Sequence, residues 1–312
     1  MENNNGFAHL HRHSDSSLLD GIGRQYQYID QAVKWGQEAL AITDHGVLTG
    51  CLEHYEECLR RNVKPILGTE LYFQPDVSDE ENKKANHLVL HAKNWKGWQN
   101  LIRISSQAWR QAKRVPISYK PIADYNLLKQ YSEGIICTTA CMSSYSNQLI
   151  LQGDATGAFR EIKKLQEIYG EDLFVEWMPH DLDEIRILNK ELVGVTNELS
   201  LPMIATVDAH YPYEGWHDTQ DIMLMVSTGQ SFDKRAKRED AGEDVYKFEC
   251  ESLWLMPEEE VRSLFAQHHP ELPEFMIDES IKNTMELANR VSTFEVSKEN
   301  KMPKVEVDAN QY

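Results

Sequence analysis

Short apolar runs alternate with segments of helical periodicity along the first two thirds of this sequence. Buried parallel strands read as short apolar runs, and the helices that connect them space their apolar residues three and four apart. The alternation therefore predicts βα units around a parallel sheet. Seven strands are predicted, over residues 7–12, 39–43, 65–73, 87–92, 134–138, 173–178 and 202–207.

The helical pattern is clearest over residues 181–199, where apolar side chains recur at steps of three and four. Gly36 and Gly170 are predicted to end helices just before the next strand. Seven βα repeats are too many for a small open sheet, so they favour a closed or nearly closed barrel. An open doubly wound sheet is the alternative.

The alternation fades after His217. The later pattern predicts an acidic and basic loop and a strand-like stretch, VYKFECESLWLM, over residues 245–256. Helices are predicted over residues 218–226, 257–265 and 278–291. We therefore expect a C-terminal helical extension after the barrel. The last residues, VSKENKMPKVEVDANQY, are typical of a linker.

Composition is that of a globular protein: of 312 residues, 41% are hydrophobic and 26% charged. No apolar run approaches the roughly 20 residues of a membrane span, and the opening MENNNGF lacks the pattern of a signal peptide. We therefore expect a cytoplasmic protein with no membrane partner. The five cysteines are an odd number without disulfide-framework spacing, which favours reduced thiols or a metal ligand.

The net charge of −18 argues against a protein that coats nucleic acid by bulk electrostatics. Residues 82–123 are the exception, because they contain no Asp or Glu, and three tryptophans lie among their lysines and arginines. Cations with interleaved aromatic rings suit single-stranded nucleic acid, although a solvated helix face above core tryptophans is the ordinary explanation. The candidate DNA contacts are Arg103, Arg110, Lys113, Arg114 and Lys120.

Ionisable residues gather where the predicted strands end. His11 and His13 end the first strand and Asp20 lies in its loop, while other candidates follow the second, fifth and seventh strands: Asp44, His45, Cys141, Asp208 and His210. In a parallel barrel these ends form one rim, where reactive groups are found. Glu70, within the third strand, and His87, at the start of the fourth, fit this rule less well.

Any one of these residues has an ordinary structural explanation, but imidazoles and carboxylates from several strands would not converge without a counter-ion. These donors exceed the four ligands of a tetrahedral zinc site, so two or three divalent ions sharing a bridging carboxylate are expected. Four anionic ligands carry less charge than the six positive charges of three divalent ions. The cavity would therefore keep a net positive charge, which suits a phosphate. The sequence therefore predicts metal-assisted phosphoester hydrolysis by a metal-bound hydroxide, and it nominates no side-chain general acid.

Six segments occur in a familiar order: HLHRHSDSSLLDG, ALAITDHG, KPILGTELY, HLVLHAKN, GIICTTAC and MIATVDAHY. Together they resemble the polymerase and histidinol phosphatase (PHP) domain that opens bacterial DNA polymerase III alpha subunits. Later segments, STGQSFD, LWLMPEEEV and NTMELANR, are similar to the continuation of the same subunit. The resemblance implies an α/β fold, a distorted (β/α)7 barrel over residues 1–292, and a linker over residues 293–312 towards an absent polymerase palm.

The resemblance also implies a trinuclear centre of zinc, manganese or iron. Its implied ligands are His11, His13, Glu70 and Asp208 around one ion, Glu70, His87 and Cys141 around a second, and Asp20, His45 and His210 around the third. Glu70 would bridge. His9 is then a supporting or structural residue, and His91, which shares a strand face with His87, is its rival.

Active members of the family remove nucleotides from DNA 3′ ends, so a 3′ to 5′ exonuclease with a proofreading role is the leading hypothesis. The expected partners are a DNA 3′ end, the rest of a polymerase III alpha-like polypeptide, in cis or as a separate chain, and other replisome subunits. A small-molecule phosphatase or pyrophosphatase is one alternative. A non-catalytic, metal-stapled scaffold of the polymerase is the other.

Overall fold

The structure is a computed structural model and describes residues 6–115, 119–243, 245 and 247–296. Its strands are β1 (Ala39–Ile42), β2 (Lys64–Phe73), β3 (Asn86–Ala92), β4 (Lys113–Arg114), β5 (Tyr119–Lys120), β6 (Ile122–Ala123), β7 (Ile135–Thr138), β8 (Leu173–Trp177) and β9 (Met203–Ala205). Its α-helices are α1 (Gln25–Lys34), α2 (Cys51–Arg60), α3 (Trp95–Arg110), α4 (Tyr125–Gln130), α5 (Tyr145–Leu151), α6 (Ala155–Tyr169), α7 (Asp183–Leu199), α8 (His217–Ser227), α9 (Phe232–Asp240), α10 (Glu258–His268) and α11 (Glu274–Arg290).

Six strands form one curled sheet in the order β1-β2-β3-β7-β8-β9, and β6 pairs with β2. The extended segment over residues 7–13 lies between the two outer strands, because His9 bridges Leu40 of β1 and Arg12 bridges Ala209 just after β9. This segment closes the sheet. The predicted distorted (β/α)7 barrel with a C-terminal helical extension is confirmed.

The strand β3 departs from the predicted parallel sheet. It runs antiparallel to both β2 and β7, with His87 opposite Tyr72 of β2, whereas the other neighbouring pairs of the main sheet are parallel. The connection over residues 74–85 contains no helix, so the chain turns back beside β2 instead of crossing over the sheet. As a consequence, the start of β3 lies at the edge where the parallel strands end, which explains the position of His87.

The first predicted strand, residues 7–12, is not a regular strand. Ala41 donates its backbone N–H to His9 O at 2.9 Å, and Thr43 donates to Arg12 O at 3.0 Å. The chain therefore advances three residues, from His9 to Arg12, while β1 advances two, from Ala41 to Thr43. The backbone bends at His11. The extra residue is a β-bulge, a feature that re-aims side chains beside functional sites.

The bulge decides where the three histidines of the opening motif point. His9 lies before it and its Nε2 donates to Met256 O at 2.7 Å, away from the barrel interior. His11 and His13 lie after it, and their rings are tilted side by side 5.4 Å apart inside the barrel. Simple alternation along a strand would have placed all three on one face.

The barrel interior is apolar at one end and polar at the other. At the apolar end α11 contributes Leu287 and Ala288 to a buried cluster with strand residues that include Ile136 and Phe174. Because alternate residues of a strand share a face, Thr138 and Glu176 follow on the inner surface. The helix α11 therefore closes one end, and the polar positions collect at the other.

The C-terminal region differs from the prediction in two places. The expected acidic and basic loop contains α9, whose N-cap Ser231 accepts a hydrogen bond from Lys234 N. The strand-like stretch over residues 245–256 forms, among its described residues, one bridge, between Trp254 and Tyr211. The predicted helices are confirmed as α7, α8, α10 and α11.

The predicted linker begins at residue 293, and its first described residues pack against the barrel. Phe294 and Val296 lie against the core, and Tyr55 donates its hydroxyl to Phe294 O at 3.2 Å. Residues 297–312 lie outside the described residues. Within the described ranges, the helices are too short or too polar to cross a bilayer.

Candidate metal centre

Nine ionisable side chains meet at the polar end of the barrel, and they are the nine ligands that the family resemblance implies: His11, His13, Asp20, His45, Glu70, His87, Cys141, Asp208 and His210. Eight of them form three overlapping groups in which the possible ligand atoms lie within 4.8 Å of one another. Cys141 adjoins the group around Glu70. The strand ends, the reversed β3 and the bulge together produce this convergence.

Glu70 lies at the centre of the cluster and is fully buried. Its Oε1 is 3.4 Å from His11 Nε2 and 3.0 Å from His87 Nδ1. Its Oε2 is 3.1 Å from His13 Nε2 and 3.0 Å from His45 Nδ1. One carboxylate therefore faces four imidazoles, the arrangement expected of a ligand that bridges ions.

Asp208 completes the group formed by His11, His13 and Glu70. Its Oδ1 lies 3.2 Å from His11 Nε2 and 3.0 Å from His13 Nε2. The backbone of Asp208 is left-handed, with a φ of 47°, a conformation that costs a non-glycine residue about 1–2 kcal/mol. The turn after β9 holds this carboxylate towards the two histidines despite that cost.

Cys141 lies beside the group that contains Glu70 and His87. Its Sγ is 3.4 Å from His87 Nδ1 and 3.6 Å from Glu70 Oε1. The thiol follows Ala140, another non-glycine residue with left-handed backbone, at a φ of 60°. This local turn brings the thiol back over the end of β7.

Asp20 lies near the two remaining histidines of the cluster, His45 and His210. Its Oδ2 lies 3.5 Å from Nε2 of both His45 and His210. Nδ1 of His210 donates to the Asp208 backbone carbonyl at 2.7 Å, which leaves Nε2 directed towards Asp20. His13 also belongs to this group, so the groups share members more extensively than the predicted partition.

Within the described part of the chain, six buried nitrogen and oxygen atoms of the cluster have no hydrogen-bond partner. They are His11 Nε2, His13 Nδ1 and Nε2, His45 Nδ1, Glu70 Oε2 and Asp208 Oδ1. Buried polar atoms are almost always paired, and leaving one unpaired costs about 1–3 kcal/mol. Convergent imidazole nitrogens and carboxylate oxygens are metal-ligand atoms, so this donor set fits divalent cations.

The pKa values also indicate that the cluster needs positive charge. Burial opposes ionisation of Glu70, yet His87, His45 and His11 hold its pKa well below the usual range. Burial opposes protonation of His13, yet the nearby carboxylates of Asp208 and Glu70, 3.0 and 3.1 Å from its Nε2, raise its pKa to about 10. The carboxylates therefore stay ionised and draw protons, or divalent ions, to the histidines.

Glu176 is a functional candidate that the sequence analysis missed. It is fully buried on β8. Its Oε2 accepts hydrogen bonds from His11 Nδ1 at 2.8 Å and from the Thr206 hydroxyl at 2.7 Å. Its Oε1 accepts from Ala140 N at 3.0 Å and from the Thr138 hydroxyl.

These four donors match the four acceptor positions of a carboxylate. Because Glu176 accepts the Nδ1 proton of His11, the Nε2 lone pair of His11 points between Glu70 and Asp208 and is left for a bound ion. A single charged residue inside the apolar strand LFVEW was the available sequence signal. It follows Phe174 on the inner face of the strand.

A profile of the PHP domain family matches residues 9–180, more than half of the chain. The chain belongs to the PHP domain family. The DNA polymerase III alpha subunit of Borreliella burgdorferi is 33% identical over 296 residues, which are 93% of this chain and 24% of that protein. The alpha subunit of Treponema pallidum is 33% identical over 290 residues, 91% of this chain and 23% of that protein. This PHP-family chain spans about a quarter of the length of these relatives.

Solved structures resemble it more distantly. An amidohydrolase from Chromobacterium violaceum has 16% identity and a TM-score of 0.42, over 66% of this chain and 88% of that one. A two-domain protein from Bacteroides vulgatus, described as containing a predicted PHP-like metal-dependent phosphoesterase, has 15% identity and a TM-score of 0.40, over 72% and 57%. Both TM-scores are below 0.5, so the family assignment rests on the sequence match.

The PHP centre is open on one side. The side chains of His11, His13 and Glu70 have no exposed area, whereas Asp20 and His45 are 16% and 15% exposed. The side chains of His87 and Asp208 are 17% and 12% exposed. A substrate would therefore meet the centre from the side of these partly exposed residues.

The tryptophans of the basic stretch have different environments. Trp98 is 9% exposed and belongs to the core, whereas Trp95 and Trp109 are 43% and 48% exposed. Trp109 donates Nε1–H to the carbonyl of Gly46 at 3.0 Å, directly after His45. The ordinary explanation of core tryptophans fits Trp98, and the end of α3 lies against the rim of the PHP centre.

The five predicted DNA contacts lie on α3 and on the β4-β5 hairpin, where Arg103, Arg110 and Arg114 are exposed. Lys113 donates to Gln74 Oε1 at 3.0 Å. Lys120 lies against Tyr72, whose ring stacks on the His45 ring with a centroid distance of 5.5 Å. Of the five, Lys120 is thus the residue with a described connection to the rim of the centre.

Proposed function

We propose that this PHP domain is a metal-dependent phosphoesterase that removes nucleotides from DNA 3′ ends as a 3′ to 5′ exonuclease. The observation that carries the proposal is the convergence of nine donor side chains at the open end of the barrel, with buried ligand atoms that lack hydrogen-bond partners among the described residues. Such imidazole and carboxylate donors accept zinc, manganese or iron.

The proposed centre holds three ions. His11, His13, Glu70 and Asp208 would hold one, Glu70, His87 and Cys141 a second, and Asp20, His45 and His210 the third. Divalent ions in such a site lower the pKa of coordinated water and neutralise charge on phosphate oxygens. Three carboxylates and one thiolate leave the loaded cavity positive, which attracts a phosphodiester.

The chain's own residues supply position and access. Glu176 holds His11 in one orientation through the 2.8 Å hydrogen bond to Nδ1. The partly exposed face of the centre receives the phosphodiester, and the proposed DNA contacts on α3 and the β4-β5 hairpin guide the strand towards it. No side-chain general acid is assigned.

A polymerase context is part of the proposal. The relatives named above are DNA polymerase III alpha subunits about four times longer than this chain. We infer that this domain works with the rest of such a polypeptide, in cis or as a separate chain, and with other replisome subunits. A proofreading role would follow from hydrolysis at the 3′ end of the growing strand.

The test is release of nucleotides from a 3′-labelled single strand in the presence of manganese or zinc. The native chain should release label, and Asp208→Asn should abolish release, because it removes an anionic ligand near His11 and His13. Glu161→Gln is the matched control: Glu161 is a buried carboxylate on α6 whose described hydrogen bond is to Tyr125, outside the centre.

Other outcomes identify the alternatives. Hydrolysis of a nitrophenyl phosphate without release from DNA would overturn the exonuclease and favour a small-molecule phosphatase. Loss of thermal stability in Asp20→Asn, with no hydrolysis by the native chain, would favour a metal-stapled scaffold.

A further inference from the structure

Lys120 is a half-buried lysine that forms no ion pair in the described part of the chain. Its Nζ donates to the Tyr72 hydroxyl at 2.6 Å and lies 4.4 Å from the centroid of the Tyr72 ring. Burying an ammonium group without a carboxylate partner is costly, and a cation–π contact offsets only part of that cost. An anionic ligand beside the Lys120 ammonium would therefore stabilise it.

Tyr72 connects this ammonium to the metal centre. Its side chain is nearly buried. Its ring stacks on the His45 ring at 5.5 Å with an interplanar angle of 17°, and it meets the His87 ring edge-on at 5.6 Å. His45 and His87 are among the partly exposed ligands, so Lys120 is one aromatic ring away from the open face of the centre.

The segment that carries Lys120 is fixed against the loop after β1. Tyr72 pairs with Ile122 across β2 and β6. A Cβ on Gly46 would lie 2.7 Å from Pro121, so the loop after His45 and the residue after Lys120 are in close contact. The ammonium is thus held beside the centre by backbone pairing and packing.

The hairpin also places two lysines directly opposite each other, Lys113 on β4 and Lys120 on β5. Like charges at such paired positions destabilise a hairpin. Lys113 donates to two uncharged oxygens, Gln74 Oε1 at 3.0 Å and the Asp79 backbone carbonyl at 2.7 Å. Among the described residues, Lys120 donates to one acceptor, the Tyr72 hydroxyl, which leaves part of its hydrogen-bonding capacity for a ligand.

The electrostatics of Lys120 agree with this position. Burial lowers the pKa of the Lys120 ammonium, and the Asp20 carboxylate acts in the opposite direction. Asp20 is one of the nine candidate ligands, so the ammonium lies within electrostatic reach of the centre.

We propose that Lys120, seated on Tyr72, forms a subsite for a second phosphate group of the substrate, next to the phosphate that enters the metal centre. The inference rests on the proposed function and narrows its substrate class. A nucleic acid strand carries neighbouring phosphates, whereas a nucleoside monophosphate or nitrophenyl phosphate carries one. The subsite therefore favours strands over monoesters.

The test is a binding measurement on the full chain loaded with manganese. A fluorescent single-stranded oligonucleotide with phosphorothioate linkages is titrated at several salt concentrations, and a nucleoside monophosphate is titrated as competitor. The variants are Lys120→Met, Lys120→Gln and Lys120→Arg. Lys64→Met is the matched control, because Lys64 is a half-buried lysine at the other end of β2 that donates to Ala288 O at 2.7 Å.

Lys120→Met and Lys120→Gln should weaken oligonucleotide binding about tenfold, because one charge-assisted contact to phosphate is lost. The slope of log K against log salt should become shallower by about 0.7. Lys120→Arg should retain affinity within about threefold, and Lys64→Met should match the native chain. Binding of the monophosphate should change in none of them.

Oligonucleotide affinities within about twofold of native in both neutral Lys120 variants would overturn the subsite, as would absence of binding by the native chain. An equal loss for the monophosphate would also overturn it, because Lys120 would then contact the phosphate inside the centre. Lys120-dependent binding without nucleotide release would support the subsite and count against the exonuclease, so the two proposals fail separately.

Discussion

Replacing Glu176 with glutamine should weaken metal binding at the group that contains His11. The substitution exchanges one acceptor oxygen for an amide that donates two hydrogens. With the amide at the Oε1 position, it would face the backbone N–H of Ala140. With the amide at the Oε2 position, it would face the N–H of His11 Nδ1. Two donors would then face each other unless the His11 ring carried its proton on Nε2 instead.

Either arrangement has a definite cost. Two buried donors facing each other leave one unsatisfied, at about 1–3 kcal/mol. The alternative places a proton on His11 Nε2, the atom 3.4 Å from Glu70 and 3.2 Å from Asp208, and removes its lone pair. Since about 1.4 kcal/mol is a tenfold change, metal affinity should fall about 10- to 100-fold.

The assay is competition for manganese or zinc with a chromophoric chelator, at constant pH and with the fold checked by thermal unfolding. Glu161→Gln serves as the control, because Glu161 is also a buried glutamate but binds Tyr125. Native-like metal affinity in a folded Glu176→Gln variant would refute the reasoning. An equal loss in Glu161→Gln would show that burial of the charge, and not contact with His11, causes the effect.

Three further predictions concern metal loading, metal removal and the buried Arg12 side chain. Metal loading at pH 7 should release protons, and metal affinity should rise with pH. The reason is that neighbouring carboxylates raise the pKa of His13 to about 10 despite burial, and burial raises the pKa of the Cys141 thiol. Equal calorimetric heats of metal binding in buffers of different ionisation enthalpy would contradict this prediction. Chelation should lower the melting temperature by about 5 °C, since ions that bind only the folded chain stabilise it; an unchanged melting curve would count against a metal-bound fold. Arg12→Met should lower the free energy of unfolding, measured with urea, by about 3 kcal/mol, because Arg12 is fully buried and donates to Ala41 O at 2.8 Å and to Gln25 Oε1 at 2.9 Å. A loss below about 1 kcal/mol would show that these hydrogen bonds are dispensable.

The pattern of apolar runs was sufficient to predict the barrel, because β1, β7, β8 and β9 are buried along their whole length and long helices such as α7 have an apolar stripe. It was insufficient for the direction of β3, which depends on a connection without a helix over residues 74–85. It also could not reveal the bulge before His11. Strand alternation is a local rule, and the extra residue is visible only in the pairing with β1.

The convergence of the nine candidate ligands was predictable because their residue types are conspicuous at the ends of apolar strands. The role of Glu176 was not predictable, because it depends on donors from neighbouring strands and turns. Thr138, Ala140 and Thr206 donate to its carboxylate, and the sequence LFVEW does not indicate these contacts. The position of Lys120 likewise depends on the packing of β6 against β2, which no sequence spacing indicates.

The central claim is that the cluster around Glu70 binds divalent ions, and anomalous diffraction from crystals grown with manganese or zinc tests it most directly. We predict anomalous peaks between Glu70, Asp208 and Asp20, at roughly 2.0–2.3 Å from imidazole nitrogens, carboxylate oxygens and the Cys141 sulfur. Ordered side chains in this cluster with no anomalous peak among them would contradict the metal centre and the function proposed from it.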